Sequence, residues 1–295
     1  MESSLAFKLH RPVIVRADVP QLFVDDFLID TTSNLHVRSH VTEKLESGAL
    51  DLPAEMSSEL LSERDGHGEE VDPSVTIKLD EDDEPNKYIE HVTVGLYAGI
   101  HFALLHMGDR HSGLGQVQWA CSRDGCSWQR CFRKPLISAP PRSNLGQFQV
   151  AFPRLDGDLM VFGVSGSTTK AAFAVLRRDG WVSLDGGDHT ATIVTRVFKC
   201  PASGSEGIPL ALYVNSAVES EGQLTVSVLD KHGRAWPQLD AECNDPLTAS
   251  GTRLPVTWNG GRSIEEFDLA GEWIRLRFDL IRCSLYSFGF FGRRN

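Results

Sequence analysis

At 295 residues, with 41% apolar and 23% charged residues, the chain is long enough for one large or two modest domains and ordinary in composition for a globular protein. Its net charge of −11 is concentrated: from Thr42 to Glu90 sixteen acidic residues stand against four basic ones, which leaves the remainder close to neutral. No clustered basic face exists for phosphates, so nucleic acid is excluded as a partner, and no run of eighteen apolar residues offers a membrane span.

In chain order, Met1 to Val15 alternates polar and apolar residues and lacks the apolar run of a signal peptide. The sequence as given therefore predicts a cytoplasmic protein, and an incomplete N-terminus would make it a secreted one. Six cysteines without a Cys-x-x-Cys pair are expected as free thiols in a reducing compartment. A compact apolar segment follows, Gln21-Leu-Phe-Val-Asp-Asp-Phe-Leu-Ile-Asp30. Residues 42–90 form the acidic stretch, expected as a solvated, partly disordered insert. Inside it, Asp51 ahead of Pro53 and the shared face of Met56 and Leu60 predict a short helix over 53–61.

Strand signals return at 92–94, 100–107, 116–120, 159–164 and 171–176, separated by turns such as Arg123-Asp-Gly125 and Leu155-Asp-Gly157. Short strands with regular turns predict propeller blades or a sandwich. From 179 the β pattern is clearest. Leu224, Val226 and Val228 alternate with Thr225 and Ser227. Ile274, Leu276, Phe278 and Leu280 alternate with Arg275, Arg277 and Asp279, and Tyr286, Phe288 and Phe290 repeat the pattern. Period two means one buried and one wet face, as in an antiparallel sandwich.

Several of these segments resemble β-propeller proteins related to the family 32 and family 43 glycoside hydrolases. The opening Gln21–Ile29 is similar to theirs, as are the blade turn Cys121-Ser-Arg-Asp-Gly-Cys-Ser-Trp128 and the junction Leu176-Arg-Arg-Asp-Gly-Trp-Val-Ser-Leu184. The tail motifs Asp245-Pro-Leu-Thr248, Pro255-Val-Thr-Trp258, Ile274-Arg-Leu-Arg-Phe278 and Leu285-Tyr-Ser-Phe288 match over more than a hundred residues. The resemblance implies a five-bladed propeller with a carbohydrate site, followed by a β-sandwich. Blades of four strands take about 40–50 residues each, judged from propeller repeats. Only about 155 residues separate Pro20 from Leu176. The expected fold is thus all-β, an incomplete β-propeller-like N-terminal region (1–178) followed by a C-terminal antiparallel β-sandwich (179–295). The join between Asn86-Lys-Tyr88 and Ile89-Glu-His91 is where a deletion is expected.

Glycoside hydrolysis needs two carboxylates across the scissile bond. The resemblance points to Asp72, in Val71-Asp-Pro-Ser-Val75, as base or nucleophile, although Asp-Pro also starts turns. Asp25 and Asp26 are further catalytic candidates, with a strand-end cap as the competing reading. The partner acid stays open: Glu69, Glu70 and Glu90 are near in sequence, and Ser143–Val150 carries no carboxylate where a later blade motif belongs. Asp124 and Trp128 resemble the structural Asp-box hairpin of sialidase-type propellers. Trp236, Trp258 and Trp273 are candidates for a sugar-stacking platform, with Trp236 and Trp258 taken as the carbohydrate-binding pair. His101, His106 and His111, and Cys121, Cys126 and Cys131, recur every five residues. On a strand that spacing alternates faces, so no metal is expected. With no Gly-x-Ser-x-Gly elbow and no phosphate loop, no cofactor is expected, and Gly113, Gly115, Gly260 and Gly261 read as turn glycines.

The leading expectation is a degenerate glycosyl-hydrolase-like protein with little or no hydrolase activity. One alternative is an active glycosidase on a furanosyl-type sugar using Asp72. Another is a non-catalytic carbohydrate-binding or partner-binding β-sandwich protein.

Overall fold

A computed structural model describes residues 12–45, 77–138, 149–166, 169–204 and 207–292. Among them the chain is all-β: the one helical element is a single 3-10 turn, Ile264–Glu266, and no helix is long and apolar enough to cross a membrane. The helix expected over 53–61 lies outside the described residues. Two compact units are formed, Met1–Arg38 with Trp181–Asn295, and Ser39–Gly180. The segment before residue 39, read from sequence as part of the front region, thus pairs with the tail.

The C-terminal unit is a nine-stranded sheet curled into a half-barrel. Two long strands, Leu210–Asp230 and Trp273–Gly292, run antiparallel through its centre. The Trp273–Gly292 strand pairs on its other side with Val182–Gly186, Ala191–Thr195, Phe198–Lys199 and Gln21–Leu22. Ile29–Ser33 extends the sheet beside Ala191–Thr195, and Gly251–Pro255 lies at the far edge.

The ladder between the long strands is interrupted where Val218 faces Cys283 and Gln223 faces Ile281. Four residues there oppose one. Glu221 and Arg282 both take left-handed backbone, with φ of 60° and 45°. Gly222 is required at this point because any Cβ would overlap the carbonyl oxygen of Arg282. A bulge bends a sheet. Both halves of each long strand therefore line one core, in which Leu224, Val226, Ile274, Leu276, Phe278 and Leu280 join Leu212, Val214, Leu285, Phe288 and Phe290.

The bulge also shifts the side-chain phase. The inward residues run 274, 276, 278 and 280, change to 283 and 285, and after a second irregularity return to 288 and 290. Tyr286, which the simple alternation places with Phe288, falls at that second shift and is buried outside the main cluster. Arg275, expected on the wet face, is also buried. Its guanidinium bonds Asp30 at 2.7 Å and the carbonyl of Thr195 at 3.1 Å.

The front unit holds two smaller sheets. In one, Lys87–Tyr97, Ile100–Asp109, Gly115–Ser122 and Ile137–Ser138 form a four-stranded antiparallel meander. Ile100–Asp109 is covered on both faces: Ala103, Leu105 and Met107 pack on one side, while Phe102 meets Trp119 at 5.8 Å between ring centres. The expected deletion join falls inside the continuous Lys87–Tyr97 strand, marked only by a register shift between Ile89 and His91. In the other sheet, Gln149–Val150, Arg154–Asp156, Leu159–Gly166 and Thr169–Arg177 are completed by Glu43–Leu45, which pairs with the last of them. The first strand of this unit thus shares a sheet with its final one.

Candidate functional site

Among the described residues, most acidic side chains of the front unit lie in loops, and several of these loops have a local reason for their shape. Ser122 ends a strand and Gly125 supplies the left-handed φ of 75° that turns the chain. This leaves backbone N–H groups pointing inward at Asp124. Its carboxylate accepts from the amides of Ser127 (2.6 Å) and Cys126 (2.8 Å) and from the hydroxyls of Ser127 and Ser122, each at 2.9 Å. Those donors, the Ser127 amide foremost, hold the Asp124 carboxyl far below the usual carboxylate range. Trp128, at the end of the same turn, packs against Ala103, Leu105, Met107 and Ala120.

Asp109 repeats the device. It accepts from the amides of Ser112 and His111 and pairs with Lys87 at 3.1 Å, which likewise drives its carboxyl well down.

A third cluster joins the acidic stretch to the sheet. Asp83 receives both Nη atoms of Arg130 at 2.6 Å, and Arg130 also donates to Gln118 at 2.9 Å. The two side chains of that pair are each only 5% exposed. Arg133 reaches Asp80 at 2.6 Å and Asp83 at 3.2 Å. Burial of Asp83 opposes its charge, but the Arg130 fork and the Asp80 amide outweigh it, and the Asp83 carboxyl is lowered. At the end of the unit, Tyr97 donates its hydroxyl to buried Asp179, and burial next to that carboxylate pushes the phenol far up.

The residues singled out in the sequence are distributed as follows. Asp72 lies outside the described residues. Asp25 and Asp26 occupy the turn between Gln21–Leu22 and Ile29–Ser33: the Asp25 carboxylate accepts from the Phe27 amide at 3.2 Å, the Asp26 carbonyl accepts from Ile29, and the Asp26 side chain faces solvent. Trp258 is fully buried with its indole N–H donating to the Val226 carbonyl at 3.1 Å, so its faces are closed to any sugar. This corrects its place in a stacking platform: an indole inside the core has no face left to offer. Trp236 is half-buried against the same core, and Trp273 is the exposed one, at 42%.

Among the histidines, His106 is buried, its ring centre 5.2 Å from that of His91 and its Nε2 3.3 Å from the Thr93 hydroxyl. Cys121 is buried, whereas Cys126 and Cys131 are exposed. No group of three or more potential metal ligands occurs among the described residues.

Three arrangements escaped the sequence reading. The Asp30–Arg275 pair spans 245 residues of chain, and no local signal marks it. The Arg130 and Arg133 clamp was hidden by reading the acidic stretch as a solvated insert. The third is in the tail. Asp245 accepts from the Thr257 hydroxyl at 2.7 Å and from the amides of Gly260 and Gly261 at 2.9 and 2.8 Å. The Asp245–Thr248 and Pro255–Trp258 motifs are thereby two halves of one fastening, and the Thr257 hydroxyl foremost keeps the Asp245 carboxyl low. Compared with known proteins, the chain matches no family model, no curated protein and no solved structure.

Proposed function

We propose that this chain is a degenerate glycosyl-hydrolase-like protein, a partial propeller-like unit joined to a sandwich-like module, with little or no hydrolase activity. The observation that carries this reading is the state of its acids. Six described carboxylates, those of Asp80, Asp83, Asp109, Asp124, Asp230 and Asp245, accept hydrogen bonds from amides, hydroxyls or arginines of their own fold, and each is lowered from its ordinary value. A glycosidase acid must hold its proton near neutral pH and therefore needs the opposite shift. These acids are fixed as anions that brace turns. The antiparallel meanders of the front unit, the second joined at its edge by Glu43–Leu45, the unit's first strand, favour the propeller-like part of the reading.

The test is hydrolysis of a panel of aryl-glycosides, furanosides included, by wild type and Asp72→Asn. Release of the aryl group at the buffer rate by both proteins is expected. Turnover by wild type that disappears in Asp72→Asn would overturn the proposal in favour of a furanosyl-directed glycosidase using Asp72. Trp273, exposed on the C-terminal sheet, favours the second reading of a non-catalytic carbohydrate-binding protein. A glycan array reads that alternative, and flat signal across all sugars would remove it.

A further inference from the structure

The outer face of the C-terminal sheet carries an arginine held unlike its neighbours. Leu212, Val214, Phe288 and Phe290 point into the core, so strand alternation turns Tyr213 and Phe291 to the opposite face. Tyr213 lies opposite Gly289, and its ring meets that of Phe291 at 6.1 Å with a 64° tilt. Gly289 makes room for this, since any Cβ there would run into the Phe291 ring. The Gly251–Pro255 strand pairs alongside, with Tyr213 opposite Pro255. It brings the exposed Arg253 over both rings, its guanidinium carbon 4.9 Å from the Tyr213 centre and 4.6 Å from the Phe291 centre.

Of the eight other described arginines of this unit, Arg38, Arg234, Arg262, Arg275, Arg277 and Arg282 each pair with a carboxylate, while Arg196 lies over the Phe27 ring and donates to the Phe27 carbonyl at 3.1 Å. Arg253 pairs with none among the described residues. Its one protein acceptor there is the Gly292 carbonyl, at 3.4 Å.

Stacking uses the face of a guanidinium, whereas hydrogen bonding uses its edge. The two rings hold the Arg253 cation by its contact with their faces, and its N–H donors match the two oxygens of a carboxylate. Apolar surface adjoins the charge: Phe291, Tyr213 and Ile208, which is 40% exposed and sits against Gly292. An inorganic anion would leave that surface unused. We infer that Arg253, Tyr213 and Phe291 form a binding subsite for a carboxylate-bearing sugar, a uronate unit of an acidic saccharide. This rests on the carbohydrate part of the reading above and is independent of whether any bond is hydrolysed.

The test is ligand-observed saturation-transfer NMR on the full chain with D-glucuronate and D-glucose, and with inorganic sulfate read as a competitor of the glucuronate signal, comparing wild type, Arg253→Ala and Arg253→Lys. Glucuronate should bind wild type, and glucose and sulfate should bind far more weakly. Arg253→Ala should weaken glucuronate by about tenfold or more, the scale of a lost charge-assisted hydrogen bond. Arg253→Lys, which keeps the charge but not the fork, should weaken it as well. Should Arg253→Ala fail to fold by circular dichroism, the lysine variant carries the comparison. Absence of glucuronate binding, equal binding by wild type and a folded variant, or glucose or sulfate binding as tightly as glucuronate would each overturn the proposal. Aryl-glycoside turnover reads the loss of hydrolysis separately, so either idea can fail alone.

Discussion

The two units of this chain reach stability by different routes. The C-terminal unit bends two long antiparallel strands at a bulge and packs both halves into a single apolar core, with Phe278 touching Phe23 and Phe288 at ring separations of 6.4 and 5.6 Å. The front unit has smaller sheets, and much of what holds its loops is electrostatic: Asp124 and Asp109 in their turns, and Asp80 and Asp83 on Arg130 and Arg133. The difference teaches where the acidity belongs. A local balance of sixteen acids to four bases looks like a solvated run, yet its last portion is gripped by arginines from a later loop.

The largest effects should come from the core and from buried charges. Phe278→Ala removes a fully buried ring and should cost the C-terminal unit about 3–5 kcal/mol in denaturant unfolding. Arg275→Ala leaves the Asp30 carboxylate buried without its guanidinium, and a broken buried pair also costs about 3–5 kcal/mol. Arg130→Ala should cost the front unit a similar amount, about 3–5 kcal/mol. Hydrogen exchange resolved by segment checks the comparison: the first two variants should loosen 181–292, and the third 77–138. Equal loosening of both segments by Arg130→Ala would break the distinction drawn between the units.

A pH titration sharpens the same contrast. The folded carboxyls of Asp80, Asp83, Asp109 and Asp124 lie below their unfolded values, so their contribution is complete above the ordinary carboxylate range. It fades as pH falls through the ordinary value toward the lowered ones. Exchange protection in 77–138 should therefore decline before that of 181–292 as the solution is acidified from neutral. The smallest effect is expected at the exposed Arg282–Asp188 pair, where Asp188→Ala should leave the melting temperature within error, because solvent screens such contacts.

Alternation along 224–228 and 274–280 was enough to read an all-β tail and its inward residues, since period two reports burial directly. Past Leu280 the same rule places Phe288 and Phe290 in the core but misplaces Tyr286, because the bulge at Arg282 shifts the phase until a second irregularity restores it. Of the site candidates, the turn at Asp124 was legible because its donors lie within three residues of it. The fates of Trp258 and Arg253 were not. One indole sinks into the core and one guanidinium stacks on the outer face according to which distant strands lie beside them.

By itself, then, the sequence determined the local facts of this protein: strands by alternation and turns at Asp-Gly. Tertiary structure alone decided that residues 21–33 belong to the tail sheet, that Asp30 meets Arg275, and that Asp245 ties together two tail motifs. The reason is physical. Local signals come from backbone and side-chain periodicity within a few residues, whereas a buried ion pair or a sheet register depends on contacts hundreds of residues apart, whose identity only the folded chain selects.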